Sequence, residues 1–536
     1  MSLAELSEKP GKVETLIVPG PYVADPLQAY QQLCAGRGNN LLLESAEIDS
    51  KDNLKSLLLA DAAVKLECWG NQVTITALTA NGLGVLALFT EHLPAGVSCD
   101  VQTDKQLLLT FAEADASLDE DSRLKAPAVF DALRTIVQQI QPLRQHPEAV
   151  FLGGAFAYDL LASFEKLPKV ADSANSCPDF VFYLAETLLL IDHQAQTTEL
   201  IGSVFSGPSI SQQYFAVSQR LEQIKQQLLN LTPVASDISQ TVSQSDLHMN
   251  KSDEVFKQDV LDLKEHILAG DIFQVVPSRI FSLPCPQPYL AYQKLKQQNP
   301  SPYMFFLQDD DFCMFGASPE SAIKYEQASN QVEIYPIAGT RPRGKNADGS
   351  INLDLDSRIE LDLRQDEKEK AEHIMLVDLA RNDVAKVSRP GSRYVKDLLK
   401  VDRYSHVMHL VSRVVGQLRD DLDALHAYQA CMNMGTLVGA PKVSAASLIR
   451  EVEKERRGSY GGAVGYINGQ GDMDTCIVIR SAFVKDGIAH IQAGAGVVYD
   501  SNPQAEADET RNKAQAVISA IISAHTPVKP QDKEQR

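Results

Sequence analysis

The chain has 536 residues, 44% apolar and 22% charged, with a formal net charge of -20. That length allows roughly two to four domains with full cores, and the acidic balance excludes the basic footprint of a nucleic-acid binder or of a protein held on anionic membrane. A small anionic substrate would have to meet locally placed arginines or a bound cation.

From the N-terminus, "MSLAELSEKPGKVETL" lacks the apolar core of a signal peptide. No apolar run reaches the ~18 residues a membrane-spanning helix needs. The cysteines at 34, 68, 99, 177, 285, 313, 431 and 476 form no Cys-x-x-Cys pair and do not cluster with histidine. This spacing disfavours a zinc site or a disulfide framework and predicts a soluble, cytoplasmic protein. "LLLESAEI" (41–48) reads as a strand end. The acidic stretch 112–127 reads as an exposed loop, and 231–253, rich in Ser, Gln and Asp, as a linker. These breaks divide the chain into an N-terminal α+β region (1–230), a polar linker (231–253), a C-terminal region with most of the chemistry (254–524) and a polar tail (525–536).

In the C-terminal region, "YPIAGTRPRG" (335–344) ends a β-prone run in a rigid turn, with Arg341 and Arg343 offered to an anion. "DEKEKAEHIMLVDLARNDVAKV" (366–387) predicts a helix whose Glu369 and Glu372, spaced i, i+3, adjoin the apolar Ile374, Met375, Leu376 and Leu379. Three β-rich runs follow at 461–467, 476–484 and 489–499, with Asp486-Gly487 as a hairpin signal between the last two. Such a meander predicts antiparallel pairing, and no phosphate-binding glycine loop stands between a strand and a helix. Arg480 interrupts an apolar strand and needs an anionic partner, which a bound carboxylate or a structural Asp would supply. Glycines at 461, 462, 494 and 496 fit either tight sheet packing or close approach of backbone N–H groups to a ligand. The last helix opens at Asn502-Pro503, a cap followed by a good first residue. Glu506, Glu509 and Lys513 share one of its faces, which continues into Ala514, Val517, Ile518 and Ile521. Carboxylates in a first turn suit the helix dipole. Two helices that each carry such a pair could instead form an oxygen site for Mg²⁺.

Together, "PIAGTRPRG", "EKAEHIMLVDLARND", "GSYGGAVGY", "CIVIRSA" and "QAGAGVVYDSNPQAEADETRNKAQA" resemble the chorismate-utilising enzymes, and among them the large components of anthranilate synthases. The resemblance spans residues 40–524. It implies an α+β fold of antiparallel sheets stacked as a sandwich, helices outside and the site between the sheets. It also implies Mg²⁺-dependent addition of ammonia to C2 of chorismate, loss of the 4-hydroxyl and elimination of pyruvate, giving anthranilate. Carried over residue by residue, Glu372 and Glu509 would hold Mg²⁺, supported by Glu369 and Glu506, with Lys513 balancing the charge. Tyr460, Arg480 and the backbone of Gly494, Ala495 and Gly496 would grip the enolpyruvyl carboxylate, and Gly339 and Thr340 would touch substrate. Glu320 in "ASPES" matches the general acid, and His409 a histidine linked to pyruvate loss. Ala338 stands where the sister enzymes making 4-amino-4-deoxychorismate often carry a nucleophilic lysine. Gln274 stands where isochorismate and salicylate synthases carry a lysine that activates water. Glu44, Ser45, Pro302, Tyr303 and Met304 match a segment that binds tryptophan as feedback inhibitor. No Gly-x-Cys-x-Gly turn is present, so glutamine hydrolysis is left to a separate glutaminase subunit. The rival readings are an aminodeoxychorismate synthase component and a catalytically silent tryptophan sensor.

Overall fold

The computed structural model describes residues 6, 10–45, 54–113, 115, 117–231, 240–346, 348–404 and 407–526. Two long strands organise it: Lys55–Trp69 and Phe180–Asp192 pair antiparallel along most of their length. Their register slips repeatedly between Leu59 and Val64, and bulges of this kind bend and twist a strand pair. Each strand therefore contributes its two halves to different sheets.

On one side the order continues through Asn40–Glu44, Tyr303–Gln308, Cys313–Ser318, Ser481–Lys485, Ile488–Gly494 and Ser278–Pro284. On the other it runs through Phe151–Phe156, Ala463–Asn468, Met473–Ile477, Ser321–Glu326, Gln331–Ile334 and Val407–Gln417. Ile337–Pro342 and Tyr394–Arg403 flank that last strand. All these pairings are antiparallel. An apolar layer of Leu41, Leu59, Phe151, Val181, Phe305, Met314, Val464 and Phe483 fills the space between the two sheets, as sandwich packing requires. The expected α+β sandwich with outer helices is what the chain forms.

The region before the polar stretch 231–253 and the region after it share these sheets. Asn40–Glu44 pairs with Tyr303–Gln308, and Phe151–Phe156 with Ala463–Asn468. Helices Ile210–Leu229 and Asp253–Ala269 bracket the stretch, of which residues 232–239 lie outside the described set. The acidic segment 112–127 is not all loop, because Glu120–Lys125 forms a short helix capped by Asp119. Of the expected tail (525–536), only residues 525 and 526 are described. His525 is fully buried and accepts from the Gln287 N–H.

Two local expectations need correcting. The run 476–484 is not one strand. Met473–Ile477 belongs to one sheet and Ser481–Lys485 to the other, with the chain crossing between them at Arg480 in a left-handed conformation, φ +50°. A second crossing lies beside it, where Cys313–Ser318 gives way to Ser321–Glu326 through Pro319 and Glu320. The two crossings are tied together, the Ala317 N–H donating to Arg480 O at 3.1 Å and the Ile477 N–H to Glu320 O at 3.0 Å. Nor do Arg341 and Arg343 wait for an anion. Arg341 binds Asp366 and Glu369 at 2.7 and 2.8 Å, and Arg343 binds Asp356 at 2.9 Å, fastening the turn to helices Glu367–Val387 and Leu353–Gln365.

Candidate active site

The paired crossings bring the backbones at Glu320 and Arg480 to the same seam of the sandwich. A strand that leaves one sheet for another must break its ladder, so its side chains there face the gap. Glu320 is 7% exposed, and Thr436 donates to its Oε1 at 3.1 Å. Burial pushes its carboxyl up to about 8, against the lowering pull of that hydrogen bond and of the Lys513 charge. The group is therefore a protonated acid at neutral pH, as a proton donor must be. Arg480 is half-buried. Among the described residues no carboxylate pairs with it, and no side-chain hydrogen bond of its guanidinium is found. Burial lowers its pKa, with the Glu509 charge opposing. The structural Asp that would have explained this arginine is absent among the described residues.

His409, on the strand Val407–Gln417, is held down to about 4 by burial and by the Arg480 charge, so it is a neutral imidazole. Its Nδ1 lies 2.8 Å from Thr340 Oγ1. Thr340 follows Gly339, whose φ of +82° favours glycine and where a Cβ would stand 3.1 Å from Leu410 Cδ1 and 3.2 Å from Glu369 Oε2. On the opposite wall, Lys513 Nζ donates to Gly494 O at 3.0 Å and pairs with Glu509 at 2.7 Å. A Cβ on Gly494 would stand 2.9 Å from Tyr460 Oη and 2.7 Å from Pro277 O, so only glycine admits this approach. The Ala495 N–H is committed to Pro277 O and is not free for a ligand. Gln274 is buried beside Gly496, its Nε2 2.8 Å from where a Cβ there would sit, and its Oε1 has no hydrogen-bond partner.

The two glutamate helices come near enough for their carboxylates to act on one another. The Glu372 carboxyl is raised by burial, and then, after the opposing Lys368 charge, by the charges of Glu369, Glu509 and Glu506. That of Glu506 is raised by burial, with Glu509 adding to it. Mutual repulsion among carboxylates on two different helices marks a place short of positive charge. Among the described residues no three His, Cys, Asp or Glu side chains stand close enough to cage a metal by themselves. A hard cation that takes one or two carboxylates, with water and substrate completing its shell, needs no such cage. The donor set fits Mg²⁺.

Several site-forming residues escaped the sequence reading. Thr436, in the short helix Gly435–Val438, is one. Arg279 is another: fully buried, it donates to Ala507 O, Thr510 Oγ1 and Asp253, seating the helix that carries Glu506 and Glu509. Arg457, 1% exposed, pairs with Glu453 and lies 5.5 Å from the Tyr460 ring centre. The signal that flagged Arg480, a lone arginine in an apolar run, would also have found Arg279. The tryptophan-segment residues are brought together by strand pairing, with Glu44 directly opposite Met304. Glu44 accepts from Tyr292 at 2.6 Å and pairs with Lys296 at 2.5 Å. Tyr303 donates to Asp474 at 3.1 Å, with Pro302 just before it. Ser45 ends the described segment, and 46–53 lie outside it.

A family model described as chorismate binding enzyme matches residues 74–519. The chain belongs to the chorismate binding enzymes. Within that family it is 61% identical over 520 residues to anthranilate synthase component 1 of Vibrio cholerae, covering 97% of this chain and 98% of the relative. It is 57% identical over 519 residues to the Escherichia coli protein of the same name, covering 97% and 98%. The crystal structure of anthranilate synthase component I from Streptococcus pneumoniae superposes with a TM-score of 0.68 at 28% identity, over 93% of this chain and 98% of that one. The menaquinone-specific isochorismate synthase of Escherichia coli shares the fold, with a TM-score of 0.62 at 17% identity, covering 97% of each chain. Membership of the chorismate binding family makes this chain a chorismate-converting enzyme. Among the described residues no helix is long and apolar enough to cross a membrane.

Proposed function

We propose that the chain is the large component of an anthranilate synthase, a cytoplasmic lyase that aminates chorismate with ammonia and releases pyruvate. The observation that carries this reading is the pair of adjoining crossings, one carrying a protonated Glu320 and the other an Arg480 without an ion pair among the described residues. Arg480 and Tyr460 grip the enolpyruvyl carboxylate against Gly494 and Gly496. Glu372 and Glu509 would hold Mg²⁺, with Glu369 and Glu506 behind them, and the ion would supply positive charge for the ring carboxylate. As ammonia bonds to C2, the C4–O bond breaks and Glu320 gives its proton to the departing hydroxyl, which leaves as water. Loss of the C2 proton and cleavage of the enolpyruvyl C–O bond then aromatise the ring and release pyruvate. Neutral His409, anchored near Thr340, serves that second half. Ala338 offers no nucleophile and Gln274 no base, so free ammonia rather than lysine or water adds.

Ammonia is delivered by a separate glutaminase component. Tryptophan binds between Glu44-Ser45 and Pro302-Tyr303-Met304. Strand pairing supports a link to the chemistry: Tyr303 lies opposite Ser318, and the Ser318 hydroxyl accepts from the Glu320 N–H at 3.3 Å. Mass spectrometry of the product from chorismate, Mg²⁺ and ¹⁵N-ammonium tests the reading. Labelled anthranilate, suppressed by tryptophan, supports it; accumulation of 4-amino-4-deoxychorismate or isochorismate would move the chain to a sister activity.

A further inference from the structure

The charges of Glu369, Glu506 and Glu509 all bear on Glu372, yet Glu369 and Glu372 differ in their own partners. Glu369 is held by Arg341 Nη1 at 2.8 Å, while Nη2 of the same guanidinium takes Asp366 at 2.7 Å. Asp366 is the N-cap of helix Glu367–Val387, accepting from the N–H groups of Lys368 and Glu369. Arg341 also donates to its own neighbour, Thr340 O, at 2.9 Å. Its fork thus spans Thr340, the helix cap and Glu369. Glu372, one turn on, pairs among the described residues only with Lys368, at 3.9 Å, and that lysine is mostly exposed. A rigid fork bound to two carboxylates is a far firmer partner than a solvated ammonium at such a distance.

We propose that Arg341 is a positioning residue that decides which carboxylate of helix Glu367–Val387 takes the divalent cation: by occupying Glu369 it leaves Glu372 as the ligand and caps the site's negative charge. This inference rests on the assignment of Glu372 and Glu509 to the cation. Arg341 acts through Glu369 and touches neither ion nor substrate. Without it, Glu369 becomes a free additional charge beside Glu372. The site then binds hard cations more tightly and loses its discrimination between a small octahedral ion and a larger one that accepts more carboxylate oxygens.

The test uses the full chain with Mn²⁺ as probe, read by electron paramagnetic resonance without chorismate, and Ca²⁺ as competitor. Arg341→Gln should tighten Mn²⁺ binding by roughly three- to tenfold, the partial exposure of Arg341 moderating the effect. It should also strengthen Ca²⁺ competition. In the Glu369→Gln background the same substitution should change neither quantity, because the residue through which it acts is gone. Arg341→Lys, which keeps the charge but not the fork, should fall between and guards against misfolding, with thermal unfolding measured in parallel. Weaker Mn²⁺ binding on Arg341→Gln in both backgrounds, or no change in either, would overturn the role given to Arg341 while leaving the cation site standing. Failure of the unsubstituted chain to bind Mn²⁺ would overturn the cation assignment itself, and the inference with it.

Discussion

The acid at the seam makes the sharpest prediction. Burial raises the Glu320 carboxyl from an ordinary 4.5 to about 8, which disfavours its ionised form by roughly 5 kcal/mol. With a folded value above the unfolded one, the folded chain binds the proton more firmly than the unfolded chain does. The associated stability is present in full below the unfolded value, is lost as pH climbs from about 4.5 towards about 8, and is gone beyond it. The same proton drives departure of the 4-hydroxyl. The value of kcat/KM for chorismate, followed by anthranilate fluorescence with free ammonia held constant, should therefore hold to about pH 8 and then fall about tenfold per pH unit. Glu320→Gln should lower the rate by roughly two to four orders of magnitude and erase the limb, while remaining folded at pH values where the unsubstituted chain has begun to lose stability. Thr436→Val removes the one hydrogen bond that lowers the Glu320 value, so it should move the limb upward. A limb that persists unchanged in the residual activity of Glu320→Gln, or one that Thr436→Val moves downward, would refute the reasoning.

Arg480→Met removes a guanidinium without an ion-pair partner among the described residues. It should weaken chorismate binding by roughly 1.5–3 kcal/mol, read as a raised KM, yet leave the thermal midpoint of the ligand-free chain unchanged or higher. Glu372→Gln should stabilise the chain in EDTA, since the Glu369, Glu506 and Glu509 charges all press on Glu372, and should abolish stabilisation by Mg²⁺; differential scanning calorimetry reads both. Gly494→Ala should cripple the enzyme, because the new methyl meets backbone Pro277 O and Tyr460 Oη. Gly496→Ala meets only the end of the Gln274 side chain and should cost far less in kcat/KM.

How much of this was written in the sequence depends on how local each signal is. The last helix was legible to the residue. Asn502 caps it, Pro503 opens it, and Ala514, Val517, Ile518 and Ile521 are buried, because caps and helical periodicity are properties of neighbouring residues. The Asp486-Gly487 turn was equally local, both residues taking positive φ between Ser481–Lys485 and Ile488–Gly494. The break inside 476–484 was not legible. Its residues have strand propensity throughout, and the decision to change sheets at Arg480 belongs to the partner strands on either side. Arg341 and Arg343 misled for a related reason: their carboxylate partners lie 13 to 28 positions away, so composition around the turn showed cations and not what neutralises them. Thr436 was invisible, since its role exists only through contact with a residue 116 positions earlier. The site as a whole was nameable only by matching several motifs at once. The spacing of Glu369 with Glu372 and of Glu506 with Glu509 says nothing about whether the two helices meet.

The most direct test of the account is anthranilate fluorescence from the purified chain, given chorismate and Mg²⁺ with either ammonium or glutamine as nitrogen source. Anthranilate with ammonium, abolished by EDTA and absent with glutamine, is the predicted result. Chorismate left intact at high ammonium and saturating Mg²⁺ would contradict the central claim that the Glu320–Arg480 seam is an amination site.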